Sequence, residues 1–492
     1  MKSNYLQFRD VAISFSVLFV LSVVPVSAQL ATEFPSKPNV ILIVIDDLGW
    51  KDLAFMGNEF AETPNIDRLA SEGVVFTNAY ANAPNCAPSR ASLLSGQYTP
   101  RHKIYTVTTS YRGEAKDRQL ISTPTKNFLG RSVVTMAEAV KSNGYVSAAM
   151  GKWHLGNDPR FGPSGQGFNF NLGGSSAGLP ASYFSPYKNP YIKDGAPGEY
   201  LTDRLTGEAL RFITDMTGQQ AENHPFLLYL SHYALHVPLT AKQELVEKYQ
   251  NKSPDRSKAA VVYAAMIESV DQGVGQIMVK LKELGITQNT VIIFTSDNGG
   301  HGGVTSMSPL RGAKGTLYEG GIRVPLIVHW PGVLNAGMVI DTPVIGTDLY
   351  PTILEITGSD RPSDHVLDGK SLMPLLANSG KFEREAIFWH FPVYINSHPG
   401  MNDPWLTTPA AAVRRGDWKL IEYFEPNRGA ELYNLESDIS EQDNLVEVEP
   451  RVAKDLLDLM VEWRKSIDVP VPTEPNLLYE AAAVDARDFN IR

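Results

Sequence analysis

Two acidic pairs stand out by type and setting. Asp46-Asp47 follows the apolar run VILIVI, and Asp297-Asn298 follows VIIFT and Ser296. Such runs read as strands buried on both faces of a parallel sheet. In doubly wound sheets ligands bind beyond the carboxyl ends of the strands. Three carboxylates and an amide converging there would make a hard-oxygen site for Ca²⁺ or Mg²⁺. Either pair alone reads more simply as a turn cap; two pairs at equivalent places point to metal.

The third feature is Cys86, the only cysteine among 492 residues. It excludes a disulfide within the chain and a thiolate-only zinc site. Pro88 suits an early helical position, which puts Cys86 at a helix N-terminus, where the dipole favours negative charge. Arg90 lies one turn along the same face. A nucleophile beside a fixed guanidinium suits an anionic substrate group.

The elements that must position these residues alternate. Strands are expected at 40–45, 146–150, 226–230, 291–295 and 326–328. Helices are expected from Thr63-Pro64 to Gly73 with Thr63 as N-cap, then at 134–143, 259–284 and 348–357. That pattern predicts an α/β fold with a mostly parallel sheet flanked by helices. After about residue 370 short antiparallel strands (386–389, 411–414, 418–423) and a helix at 452–467 suggest a smaller α+β domain. The expected organisation is a catalytic domain over 31–370 and a C-terminal subdomain over 371–492. Residues 159–197, rich in Gly, Pro, Asn and Ser, read as a site-lining loop.

Lys2 and Arg9, an apolar run from Val11 to Val26 and Val26-Ser27-Ala28 read as a secretory signal over 1–28, with the mature protein exported to the periplasm or secreted. No later segment is long and apolar enough to span a bilayer. Lys+Arg is 44 against 54 Asp+Glu, a net charge of −10, which argues against a broad nucleic-acid footprint.

Residues 86–96, CAPSRASLLSG, match the modification signature C-x-P-S-R-x-x-x-L-[TS]-G of the type I sulfatases. The stretches DDLGWKDL, TPNIDRLASEGVVFTNAYA, GYVSAAMGKWH, SDNGG and RGAKGTLYEGGIRVP follow in family order, with Met150 a slight departure. The chain thus resembles the formylglycine-dependent, arylsulfatase-like sulfatases of the alkaline phosphatase superfamily. The resemblance implies a sulfuric ester hydrolase with an alkaline-phosphatase-like fold. It implies that a formylglycine-generating enzyme oxidises Cys86 to Cα-formylglycine (3-oxoalanine), with Pro88 and Arg90 serving recognition, and that Arg90 steadies the aldehyde hydrate. It implies one Ca²⁺ held by Asp46, Asp47, residue 86, Asp297 and Asn298. One hydrate hydroxyl attacks sulfur, and the second lets sulfate depart.

Carried over position by position, Lys152 and Lys314 bind sulfate oxygens and His154 is the base. His236 is the general acid toward the leaving group, shared with Lys314. Ser175 or Ser176 would add a polar contact. His301, next to the metal turn, is the first choice for a substrate-binding subsite residue. His102, His232 and Arg311 are weaker choices, and Trp405 and Trp418 would stack on sugar faces; surface or packing roles are the simpler reading for these. The expected substrate is a sulfated carbohydrate, such as ulvan, an algal galactan or a glycosaminoglycan fragment, approached from chain ends. A phosphate or phosphonate monoester hydrolase on the same fold is the alternative, and a catalytically silent carbohydrate binder is a third reading.

Overall fold

A computed structural model describes residues 37–217, 224–397 and 404–480. The expected signal segment, 1–28, lies outside them. Eight strands form one sheet: β1 (Asn39–Ile45), β2 (Val74–Phe76), β3 (Val146–Gly151), β4 (Phe170–Leu172), β5 (Phe226–His232), β6 (Thr290–Ser296), β7 (Leu326–His329) and β8 (Met338–Ile340). Their spatial order is β4-β3-β5-β1-β6-β7-β2-β8. Neighbours run parallel except that β7 is antiparallel to both β6 and β2.

Helices cover both faces, as a two-sided apolar strand demands. The main ones are α1 (Pro64–Ser71), α2 (Cys86–Ser95), α3 (Met136–Lys141), α4 (Leu201–Thr217), α5 (Lys258–Glu283) and α6 (Leu349–Thr357). Side chains of β1 alternate between two cores. Ile41, Ile43 and Ile45 pack with residues of α1, α4 and α5. Val40, Leu42 and Val44 pack with residues of α2, α3 and α6. Every residue of β1 is buried, so each core loses about 1.5–3 kcal/mol for each large side chain left exposed.

The strand and helix expectations match these elements to within a few residues, with one local correction. Thr63 makes no cap bond to the first turn of α1. Its hydroxyl donates to Asp67 and accepts from the Ala54 N–H. The first-turn N–H groups of Asn65 and Ile66 donate instead to Asp271 Oδ1 on α5, at 2.9 and 2.8 Å. A carboxylate from a neighbouring helix has taken the capping role, which local sequence cannot reveal.

The C-terminal sheet is antiparallel: β9 (Ile387–Phe391), β10 (Ala410–Arg415), β11 (Trp418–Tyr423) and β12 (Ala430–Asn434), joined in that order. One face packs on α7 (Pro450–Ser466) through Leu420, Leu432, Leu456 and Met460. The other packs Ala412, Ile421 and Tyr433 against Tyr80, Tyr98, Leu317 and Tyr318. Buried Lys419 bridges Glu319 and Glu441 at 2.9 and 2.8 Å, tying this sheet to the segment that carries Lys314. Among the described residues no helix is long and apolar enough to cross a membrane.

Candidate active site

The sheet delivers its polar groups along one edge. In register, Ile45 lies opposite His232 of β5 and Ser296 of β6, and Gly151 of β3 lies opposite Ser231. Residues just past these positions therefore meet. The Asp46 N–H donates to the Ala234 carbonyl at 3.0 Å, and the Asp297 N–H to the Ile45 carbonyl at 3.2 Å. Asp47 takes a left-handed backbone (φ 59°), which Asp tolerates better than most residues. Its N–H donates to Asp297 Oδ1 at 3.2 Å, and Asn298 Nδ2 donates to Asp47 Oδ1 at 2.8 Å.

Cys86 is the first residue of α2, as its sequence context requires, and its side chain is buried. The thiol lies 3.6 Å from Asp46 Oδ1. Potential ligand atoms of Asp46, Asp47, Cys86 and His236 all fall within 4.8 Å of one another. Lys152 Nζ donates to Asp46 Oδ2 at 2.6 Å, and Lys314 Nζ to Asp47 Oδ2 at 2.8 Å. His236 Nε2 lies 3.8 Å from Asp47 Oδ2, and its Nδ1 donates to the Val237 carbonyl at 2.6 Å.

Arg90, fully buried, faces inward from α2. Its Nε donates to Asp297 Oδ2 at 2.7 Å, and Nη1 to the Lys152 carbonyl at 3.0 Å and to the Ser231 hydroxyl. Nη2 lies 3.8 Å from Asp46 Oδ1. The guanidinium fork thus hydrogen-bonds three strand ends and pairs with the carboxylate at a fourth, as a planar array of donors can and a lysine cannot. His154, also at positive φ (65°), hangs its N–H on the Ser175 carbonyl at 2.9 Å.

Charge sets the protonation pattern. Burial pushes the Asp46 carboxyl well up, against the pull of Lys152. Burial works the same way on Asp47 and Asp297, but Lys314 and His236 hold the first below its ordinary value, and Arg90 and Lys152 the second. Burial would raise the Cys86 thiol, yet Lys152 and Lys314 bring it down to about 6. Burial and the nearby Lys152 and Arg90 cations depress His154. His236 goes the other way: burial lowers it, but Asp46 and the thiol of Cys86 more than offset this. Two histidines at one site are thus pushed in opposite directions.

The donor set fits a hard divalent cation. Three carboxylates and an amide supply only oxygen. Asn298 Oδ1 is buried without a hydrogen-bond partner, the state a cation would relieve.

The structure brings Asp46, Asp47, Cys86, Arg90, Lys152, His154, His236, Asp297, Asn298 and Lys314 into this one network. Ser175, buried, reaches it through His154, whereas exposed Ser176 points its N–H at Asn157. The other candidates take different positions. His301, half-buried three residues past Asn298, accepts the Gly303 N–H through Nδ1. His102 is buried between the Ser92 hydroxyl and the Ile104 N–H, and burial pushes it down to about 3. His232 is the buried end of β5. Arg311 bonds Tyr433 and the Glu441 carbonyl and covers the Tyr318 ring. Trp405 is buried, with Nε1 on the Asp117 carbonyl, and Trp418 packs in the C-terminal core. His102, His232, Arg311, Trp405 and Trp418 are thus packing and joint residues, the simpler of the two readings their sequence offered.

Three contributors escaped the sequence reading. Ser231 and Tyr229 both receive Arg90. Their signal was available, since 226–230 was a strand whose end had to share the edge. Tyr263 of α5 was not legible: its hydroxyl donates to Asp52 at 2.6 Å and lies 3.1 Å from the Asp47 carbonyl, a contact across 216 residues of sequence.

Comparison with known proteins agrees with this geometry. Residues 38–359 match the family described as Sulfatase, and residues 313–466 match the family described as N-sulphoglucosamine sulphohydrolase, C-terminal. A sulfatase of Formosa agariphila is 33% identical over an alignment of 519 positions that covers 92% of each chain. N-acetylgalactosamine-6-sulfatase of Homo sapiens is 33% identical, covering 73% of this chain and 69% of the relative. The solved structure of Ps i-CgsB with k-i-k-neocarrahexaose superimposes with a TM-score of 0.73 at 31% identity, covering 91% of this chain and 96% of that one. The cysteine signature, the strand-end oxygen donors and these matches agree on one assignment: the chain belongs to the type I sulfatases of the alkaline phosphatase superfamily and is a sulfuric ester hydrolase.

Proposed function

We propose that this sulfatase removes sulfate from the ends of sulfated carbohydrate chains outside the cytoplasm, using residue 86 as formylglycine and one Ca²⁺. The observation that carries the reading is the placement of Cys86 Sγ, 3.6 Å from Asp46 Oδ1 and clustered with Asp47 and His236, with Lys152 and Lys314 on the two carboxylates. Sulfate is an anion, and a buried position flanked by two lysines is where one would be held.

Asp46, Asp47, Asp297 and Asn298 would hold the Ca²⁺, which when bound lowers the pKa of a hydroxyl at residue 86 and neutralises charge on the sulfuryl oxygens. As the hydrate of formylglycine, residue 86 offers one hydroxyl that attacks sulfur as the ester S–O bond breaks, and a second whose deprotonation re-forms the aldehyde and expels sulfate by C–O cleavage. Lys152 and Lys314 orient the sulfate oxygens. His236, its proton favoured by Asp46, protonates the departing alcohol oxygen. His154, held neutral, accepts the proton of the second hydroxyl. Arg90 keeps Asp297 and the Lys152 carbonyl in register beneath them. The carbohydrate class follows the relatives, one an N-acetylgalactosamine-6-sulfatase and one solved with neocarrahexaose. Export follows the Lys2–Ala28 segment.

The test is mass analysis of the Cys86 peptide from a host with the modifying enzyme, combined with sulfate release from defined sulfated oligosaccharides. The expected result is the aldehyde at 86, free sulfate, and loss of turnover by many orders of magnitude in Cys86→Ser, which has only one hydroxyl and stalls as an ester. An unmodified thiol in fully active enzyme, or release of phosphate alone from matched esters, refutes the reading.

A further inference from the structure

A cleft of about 290 Å³ opens beside the reacting residue, lined by Ala87, Thr106, Thr108, Asn127, His154 and Ser176. Ala87 follows Cys86 in the chain and His154 forms one wall, so the cleft opens next to the reacting residue. Its volume is at the small end of the ~300–1,000 Å³ usual for ligand sites, room for one ring rather than a run of chain.

The lining is chemically narrow. Thr106, Thr108 and Ser176 present hydroxyls and Asn127 an amide; no carboxylate, lysine or arginine lines the cleft. Thr106 Oγ1 accepts from Asn85 Nδ2 at 3.1 Å, which leaves its own O–H to donate elsewhere. His154 Nδ1 is buried without a hydrogen-bond partner. The imidazole cannot retreat, because a Cβ at Gly178 would stand 2.4 Å from its Cε1, so the glycine backbone lies directly against the ring. The exposed cation Lys126 adjoins Asn127 in sequence but is not part of the lining.

We propose that this cleft is the subsite for the sugar ring bearing the scissile sulfate, and that it selects an uncharged ring, a hexose or N-acetylhexosamine, over a uronate. The proposal rests on the sulfatase reading above and extends it to the identity of the ring. Hydroxyls and amides match ring hydroxyls donor to acceptor. A uronate carboxylate placed there would meet hydroxyls and an amide but no cation of the lining to offset the hydration it gives up. Asn127 is the specificity residue, because its amide can donate and accept to neighbouring hydroxyls at once.

The experiment compares kcat and KM for a sulfated N-acetylhexosamine and a sulfated uronate, with an aryl sulfate as third probe, in wild type, Asn127→Ala and Asn127→Lys. Asn127 is exposed, so both variants are expected to fold. The expected wild type prefers the neutral sugar at least about tenfold in kcat/KM. Asn127→Ala raises KM for that sugar about fivefold to tenfold, the weight of one or two lost hydrogen bonds, with a smaller change in kcat. Asn127→Lys narrows the preference by admitting the carboxylate. A wild type that favours the uronate, or a neutral-to-uronate ratio identical in all three proteins, overturns the subsite while leaving the sulfatase reading intact. No sulfate from any of the three probes overturns both.

Discussion

Replacing Arg90 by Met removes the charge at the centre of the site and nearly preserves side-chain length. Both Arg90 and Asp297 have side chains wholly out of solvent, with Nε 2.7 Å from Oδ2. Breaking one partner out of such a pair leaves a buried unpaired charge and costs about 3–5 kcal/mol. The Lys152 carbonyl also loses a donor at 3.0 Å, worth about 1 kcal/mol. Against this, Lys152 still favours the ionised Asp297 and the Asp47 N–H still donates to it, so the lower part of the combined range, about 4 kcal/mol, is expected. Arg90→Lys keeps the charge but not the fork and should lose about half as much. The assay is urea unfolding of the cysteine form, with chelator, so that conversion of residue 86 does not enter. Pairing Arg90→Met with Asp297→Asn should recover about 2 kcal/mol, because the carboxylate that lacked a partner is gone. A loss under about 1 kcal/mol in Arg90→Met, or strictly additive losses in the double variant, would refute the claim that this guanidinium holds the strand ends together.

Two further outcomes follow from the same geometry. Gly151→Ala would place a Cβ 1.9 Å from the Ser231 carbonyl oxygen at φ 95°, so the β3 end must shift; a loss of about 3 kcal/mol or more and a much weakened sulfate site are expected, read by thermal melting and product inhibition by sulfate. In unconverted, cation-free protein the Cys86 thiol should titrate near 6, followed by ultraviolet thiolate absorbance. Its folded value is depressed below the ordinary 9.0, so its contribution to stability is complete above that value and is lost as pH falls through about 6; a midpoint above 8 would show that the two lysines do not act on the sulfur.

The sequence was most informative where short range and strong chemistry coincide. VILIVI and VIIFT are strands because β-branched residues buried on both sides leave little alternative, and their polar ends sit where parallel topology requires. Cys86 and Arg90 are one helical turn apart, so their common inward face was legible. Trp405 and Trp418 leave packing and sugar stacking both open in the sequence, with packing the simpler reading, because an aromatic residue signals burial as readily as sugar contact; only the fold shows that Trp405 reaches the Asp117 carbonyl. The helix at Leu201–Thr217 went unassigned although Leu201, Leu205, Ala209 and Ile213 fall at helical spacing. The strand at Ala430–Asn434, half-buried and short, has no such signature; it exists because β11 has an edge to pair. Tyr263 and Asp271 act across about 200 residues, a distance no local pattern encodes.

Burial on both faces explains the edge but raises a question about register. Where one face of a sheet is wet, a one-residue slip exposes the core and is strongly disfavoured; where both are dry, a slip exchanges one apolar face for the other and exposes neither. Strands β3, β5, β1 and β6 are of this second kind, yet a slip of one residue would separate Asp47 from Asn298. The polar groups at the strand ends supply the missing specification. Ser296 Oγ accepts the Leu48 N–H at 3.1 Å and lies 3.1 Å from the Ile45 carbonyl, pinning β6 to β1. The Asp46 N–H to Ala234 contact pins β1 to the turn after β5, and the Lys152 N–H to Ser231 contact at 2.7 Å pins β3 to β5. Arg90 then spans the ends of β3, β5 and β6. A slipped strand would leave these buried donors unpaired at about 1–3 kcal/mol each, so the chemistry at the edge and the alignment of the sheet beneath it are one constraint, set by the same side chains.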